Sequence, residues 1–471
     1  MGKLSLSKCQ PIEIDADNPF KNDVLGREEN ITVLTQFITS FEQSIVLCID
    51  GGWGQGKTTF IKMWQQYLKK RNITTIYFNA WESDYTDDAL IALIGEISLS
   101  IKKLKQLDKS KVDEAFESIY EHGANLIKVC VPALSNLLVK TVSVGLTNAD
   151  ELAKTLGALS ESLVKEQINK YEASHSTLKN FKEELSKLAT ICANGEEQKP
   201  LVIFIDELDR CRPNFAIEVL EKAKHLFNVN NIIFVLATDK TQLSHSIRAV
   251  YGQGLDVNGY LRRFIDFDYL LPLSSDAPYI IHLMNKFSLE NYFQKKGLYR
   301  LSTRDFLVDI VHKYKLSLRE QEAFFNIFNV VIRTESNAHL GHWTVLTIIF
   351  LIILKLKFPD LYKSLDNKND TNFISNTLEN IRSHCTPNNE DFNYYLEITE
   401  YLLLEISKSF LSRSTSSQEI IEQYVNKFHF DENKKNRLET IGVNYGNPHI
   451  GLSQLFNIKK AIEFSNLFKF N

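Results

Sequence analysis

A chain of 471 residues is long enough for two or three domains, and 44% hydrophobic with 24% charged residues excludes a disordered class. A net charge of −4 and a pI near 6.3 give no global electrostatic push toward nucleic acid, which is therefore not indicated as a partner. The six cysteines (Cys9, Cys48, Cys130, Cys192, Cys211, Cys385) form no C-x-x-C pair and have no histidine at zinc spacing. They read as reduced, mostly buried thiols. The polar N-terminus lacks a secretory apolar stretch, so the expected location is cytoplasmic.

The first 17 residues read as an extended lead-in, Asn18-Pro19-Phe20-Lys21-Asn22-Asp23 as a turn, and Arg27 to Phe41 as an amphipathic helix. Ser44 to Ile49 is a short apolar run, expected as a buried parallel strand. Directly after it, Gly51-Gly52-Trp53-Gly54-Gln55-Gly56-Lys57-Thr58 fits G-x-x-x-x-G-K-[ST], and Thr59 to Leu68 has apolar residues at helical spacing. Gly-rich turns before helices are common, but the upstream strand and the Lys-Thr register favour a phosphate site. In that reading the backbone N–H groups from Gly51 to Thr59 wrap the phosphates of a nucleoside triphosphate. Lys57 reaches the β and γ phosphates and Thr58 ligates Mg²⁺.

Thr74 to Trp81 is β-branched and aromatic, a second buried strand, and a helix resumes near Asp87. From Ile101 to Lys199 the pattern is helical, and charges at heptad-like spacing from Val164 to Leu188 suggest a hairpin arm. Within it, Leu126 to Leu146 is apolar but interrupted by Lys128, Pro132, Asn136 and Lys140. A packed insertion is favoured there over an interfacial or partner-facing helix, and a membrane is not the expected partner.

Leu201 to Ile205 is a continuous apolar run, as in a strand buried on both faces, and Asp206-Glu207-Leu208-Asp209-Arg210 follows it. A helix is expected over Ala216 to Phe227, a strand over Ile232 to Ala237 ending in Thr238-Asp239, and a last strand over Phe264 to Leu271. The rest reads as helical. Trp343 to Leu354 spans only 12 residues, short of the roughly 20 needed to cross a bilayer, and is expected as a buried helix.

Asp206 has the residue type and place to hold Mg²⁺ through its water shell, and Glu207 to orient and deprotonate the attacking water. The bland reading of the acidic pair is a charge cluster at a helix N-terminus. Asp209 is open between support of the site and an N-cap. Asp239 is open between a contact to the lytic water and a cap of the helix starting near Lys240. Arg262 and Arg263 are candidates for a trans arginine in a homo-oligomer, against simple solvation. Arg319, in Leu316-Ser317-Leu318-Arg319-Glu320, is a candidate γ-phosphate reader, against a solvated pair with Glu322.

Taken together, Gly51 to Phe60, Phe78-Asn79-Ala80-Trp81-Glu82, Asp206 to Cys211, Val235 to Asp239 and Tyr260 to Phe264 resemble the KAP P-loop NTPases. Asn18-Pro19-Phe20, Leu25-Gly26-Arg27 and Leu316 to Glu320 belong to the same pattern. The resemblance implies an α/β fold of the additional-strand P-loop class, a parallel sheet sandwiched by helices. It also implies a helical insertion, which agrees with the 149 residues between Lys57 and Asp206. It favours ATP over GTP, and its bacterial members resemble components of anti-phage defence. Many members carry membrane helices in the insertion, where Leu126 to Leu146 is too polar to match. Glu207 stands where the family often has Asp.

The expected organisation is a lead-in over 1–17, an NTPase core over 18–273 with its insertion at 101–199, a lid-like helical subdomain over 274–357 and a helical region over 358–471. The leading functional reading is an ATP hydrolase with Glu207, Lys57, Asp239, Arg263 and Arg319 in catalysis. Its cycle would rearrange helical regions that bind an unidentified protein partner through 101–199 or 358–471. The alternatives are a nucleotide-gated switch or scaffold with little hydrolysis, and a membrane-associated organiser.

Overall fold

The computed structural model describes residues 13–86, 88–101, 117–123, 176–193, 199–224, 228–272, 276–289, 303–334, 341–364, 394–408, 416–445 and 452–464. They fall into two compact units, with the break after Pro272.

In the first unit, α1 (Glu28–Ile38) leads to β1 (Ile45–Asp50), α2 (Lys57–Lys70), β2 (Thr75–Asn79) and α3 (Ala89–Ile101). After the insertion come β3 (Leu201–Asp206), a single 3₁₀ turn (Leu208–Arg210), α4 (Pro213–Ala223) and β4 (Ile232–Thr238). Next are α5 (Lys240–Tyr251), α6 (Val257–Leu261) and β5 (Phe267–Leu270). The five strands form one sheet in the order β2-β3-β4-β1-β5, every neighbouring pair parallel. β4 lies between β1 and β3, so Asp50 aligns with Thr238 and Asp206 with Ala237. The strand tips that lead into the glycine loop and the acidic pair therefore emerge at the same edge, where ligands sit in open α/β sheets.

The apolar runs are explained by both faces being covered. On β3, Leu201, Ile203 and Ile205 pack with Leu93, Ile97, Phe181, Leu185 and Ile217. Val202 and Phe204 pack on the opposite face with Ile31, Leu34, Phe60 and Trp64. A strand that feeds two cores loses the period-2 alternation. On α1, Ile31, Leu34, Thr35 and Ile38 are buried at the i, i+3, i+4, i+7 spacing of one helical face. Trp64 of α2 is fully buried, and its indole N–H donates to Thr35 Oγ1 at 2.9 Å.

Two expectations need correcting. The last strand is shorter than predicted, because Phe264 and Ile265 are buried in a turn and only Phe267–Leu270 pairs with β1. The described part of the supposed arm, 176–193, is a helix whose Phe181, Leu185, Leu188 and Ala189 join the core beside the sheet. Its charges are the solvated side of a packed helix, which the heptad-like spacing imitates.

The second unit is helical among the described residues. Leu318–Thr334 and His342–Lys357 pack against each other and against Leu452–Phe464, where Lys355 Nζ donates to the Ile462 carbonyl at 3.0 Å. Tyr394–Lys408, Ser417–Lys427 and Glu432–Tyr445 pack together. They are tied by Lys434 Nζ and Arg437 Nε, each 2.9 Å from Glu397 Oε1, and by Tyr424 donating to Glu400 Oε1 at 2.9 Å. Helices on both sides of residue 357 thus share one unit. Trp343 to Leu354 lies in a helix buried along its length, as its short apolar span predicts. Among the described residues no helix is long and apolar enough to cross a membrane. Leu126 to Leu146 lies outside the described residues.

Candidate active site

The loop after β1 is shaped by two glycines in the left-handed region, Gly54 at φ 77° and Gly56 at φ 83°, where a side chain would be strained. Gly56 is the N-cap of α2, so the helix opens at Lys57 with its free N–H groups facing the loop. Gly51 N–H donates to the Thr238 carbonyl at 3.2 Å, which fixes the start of the loop to β4. Lys57 is buried, with Nζ 2.6 Å from the Gly51 carbonyl and 3.4 Å from that of Gly52. Gln55 Oε1 accepts from Gly52 N–H at 2.8 Å, folding the loop on itself. Thr58 and Thr59 are half-buried in the first turn of α2.

Asp206, at the tip of β3, is fully buried. Its carboxylate accepts from Glu207 N–H at 2.8 Å and from Tyr77 OH at 3.0 Å, with the Thr58 hydroxyl beside it. Burial pushes its pKa above the ordinary carboxylate value, more than these donors pull it down. The Tyr77 hydroxyl is pushed up in turn, by burial first and by Asp206 second.

Glu207 sits at φ 61°, an unusual backbone for a non-glycine residue, and opens the 3₁₀ turn. Its Oε2 accepts from Asn79 Nδ2 at 3.3 Å, and its Oε1 is 2.7 Å from Arg210 Nη1. Asn79 Oδ1 accepts from Trp81 N–H at 3.1 Å and Glu82 N–H at 3.3 Å, so the turn after β2 aims the amide nitrogen at Glu207.

Asp209 supports the site and is not a helix cap. It accepts from the Trp53 indole and, at 3.2 Å, from Thr238 Oγ1, tying the glycine loop to β3 and β4. Asp239 is buried and caps α5, accepting from Thr241 N–H at 2.9 Å and Gln242 N–H at 3.1 Å. Arg262 and Arg263 are exposed in the turn after α6, and not on a strand edge. Arg319 is exposed near the start of Leu318–Thr334, in the second unit. The fold brings together Gly51, Lys57, Thr58, Asp206 and Glu207, with Trp53 joined to them through Asp209.

Sequence reasoning assigned no role to Arg27, although it braces the loop. It is buried, donating from Nη2 to the Gln55 carbonyl at 3.3 Å and from Nη1 to the Pro272 carbonyl at 3.1 Å. Its position beside Glu28 and Glu29 reads as helix-terminal surface charge, and the only signal was its place in Leu25-Gly26-Arg27. Asn79 and Arg210 likewise carry no sign of their roles in the sequence.

Among solved structures, the Aeropyrum pernix ORC2 protein in its ADPNP-ADP complexes aligns at 12% identity and TM-score 0.33, covering 93% of this chain and 94% of that one. Drosophila ORC bound to DNA aligns at 16% identity and TM-score 0.26, covering 94% and 88%. Drosophila ORC bound to poly(dA/dT) DNA and Cdc6 aligns at 13% and 0.33, covering 95% and 71%. Likeness this low carries nothing about what this chain binds. No curated protein matches. The KAP family P-loop domain, however, matches residues 27–334, from the arginine that braces the glycine loop to the end of the first long helix of the second unit. The strand-loop-helix geometry at Gly51–Thr58 and the acidic pair beside it are those of a P-loop nucleoside triphosphatase, and the chain belongs to the KAP family.

Proposed function

We propose that the chain binds ATP with Mg²⁺ at Gly51–Thr58 and hydrolyses it, with Glu207 as the general base. The observation that carries this reading is the fully buried Asp206 carboxylate with the Thr58 hydroxyl beside it and the Glu207 carboxylate on the next residue. Thr58 and Asp206 fit Mg²⁺, since both offer hard oxygens and a buried carboxylate gains from facing a cation. The ion, when bound, neutralises charge on the β and γ phosphates. Lys57 exchanges its loop carbonyls for phosphate oxygens, the N–H groups at the start of α2 hold the phosphates, and Glu207 orients a water and takes its proton. The helical regions 101–199 and 358–471 are the proposed partner-binding elements that follow the nucleotide state. A setting in bacterial anti-phage defence rests on family resemblance alone.

A second reading, a nucleotide-gated switch with slow hydrolysis, is favoured by the engagement of both Glu207 oxygens. Phosphate release and equilibrium ATP binding, measured on the parent and on Glu207→Gln, test the first reading. The variant is expected to bind ATP as the parent does and to lose about 100-fold or more in turnover. Parental hydrolysis by Glu207→Gln overturns the base assignment. Parental turnover below roughly one per minute favours the switch, in the range of unassisted switch NTPases.

A further inference from the structure

Glu207 is held by more than its place in the sequence. Arg210 reaches back one 3₁₀ turn to pair with Oε1 at 2.7 Å, the two side chains being 32% and 11% exposed. The same guanidinium lies over the Trp81 ring, 5.7 Å from its centroid. Trp81 is 52% exposed, although its backbone N–H is fixed by Asn79. A tryptophan face at this distance attracts a cation and limits the conformations open to a flexible guanidinium. The outcome is a three-part stack from solvent inward: indole, guanidinium, carboxylate.

We infer that Arg210 is a positioning residue that restrains the Glu207 carboxylate in the resting protein, with Trp81 as its platform, so that opening of this pair speeds turnover. The inference rests on Glu207 being the general base. Each carboxylate oxygen keeps a lone pair for water, but a guanidinium on one and an amide on the other fix the rotamer of Glu207 and compete with that water for it. The Arg210 end of the pair is about a third open to solvent, and loss of a pair screened at that end corresponds to a factor of about 5 in rate. Such a pair delays the base without disabling it. Because the platform is exposed, anything that covers or moves Trp81 acts on the base without touching the nucleotide.

Steady-state ATP hydrolysis and ATP binding by Arg210→Gln, Trp81→Leu, Glu207→Gln and the double variant Glu207→Gln/Arg210→Gln test this. Arg210→Gln is expected to raise kcat about 3–5-fold with KM within two-fold of the parent. A purely structural role would lower kcat or affinity instead. Turnover at or below the parental rate in an Arg210→Gln protein that still binds ATP overturns the restraint. If that variant does not fold, Trp81→Leu decides, because its side chain is largely in solvent: a rise in kcat supports the inference and its absence overturns it. The double variant should be as inactive as Glu207→Gln. If it is as active as Arg210→Gln, the general-base assignment fails and takes the restraint with it, whereas failure of the restraint alone leaves the double variant inactive.

Discussion

The Tyr77 hydroxyl donates to the Asp206 carboxylate at 3.0 Å, across 129 residues of sequence. This one contact joins β2 to the acidic strand β3, its neighbour in the sheet. It also leaves a carboxylate fully buried, with consequences for stability as well as for binding.

Burial raises the folded-state pKa of Asp206 above its ordinary value of 3.8. Ionising it in the folded chain therefore costs stability. That cost is absent below the unfolded value, grows as pH rises through the folded one, and is complete above it. Asp206→Asn should raise the melting temperature of the nucleotide-free protein by about 2–4 °C at neutral pH, and the gap should close as the pH falls toward the unfolded value. The same variant should lose most of its stabilisation by Mg²⁺ and ATP. Thermal melts across pH, with and without ligand, check both halves; a parent that melts no lower than the variant at pH 8 contradicts the first.

Lys57 is buried with its ammonium on two loop carbonyls, placed to move to phosphate. Lys57→Ala should weaken ATP binding by at least about 10–100-fold, the worth of one charge-assisted hydrogen bond. Titration calorimetry reads this directly. Binding within two-fold of the parent would move the phosphate site elsewhere.

Arg27→Met keeps most of the side-chain volume and removes both guanidinium hydrogen bonds, to Gln55 and to Pro272. The expected cost is about 1.5–3 kcal/mol of stability, with weaker nucleotide binding because the loop loses its brace. Denaturant unfolding and ATP titration should move together. A loss of stability with unchanged affinity would show that the brace does not shape the phosphate site.

Trp64 packs its ring against Phe60 and Phe204, 6.1 and 5.5 Å between centroids, and is fully buried. Trp64→Ala should cost about 3–5 kcal/mol, leaving a cavity between α2 and the sheet. A loss under 1 kcal/mol in denaturant unfolding would mean that this layer is able to collapse around the gap.

The parallel sheet was legible because burial on two faces leaves short continuous apolar runs between turn signals: Val202 and Phe204 serve one core, and Ile203 and Ile205 the other. The glycine loop was legible because left-handed backbone at Gly54 and Gly56 restricts residue choice locally. Arg27, Asn79 and Arg210 were not, because their roles depend on partners brought close only by folding, or on one rotamer among many. Asp209 shows the limit clearly. Its sequence context suits a helix cap equally well, and only its two partners, Trp53 and Thr238, decide the matter. The strand boundary at Phe264 failed for a related reason: hydrophobicity reports burial, and a buried turn is as apolar as a buried strand.

The link from Trp53 to Asp209 equips the protein with an optical reporter of its own. Of the four tryptophans, Trp64 and Trp343 are buried, whereas Trp53 and Trp81 are half in solvent at the mouth of the site. The Trp53 indole N–H is anchored to the acidic turn while its ring belongs to the glycine loop. Nucleotide entering that loop alters the ring's contact with water, so the emission of the unlabelled protein should change on ATP addition, and that change should shrink in Trp53→Phe.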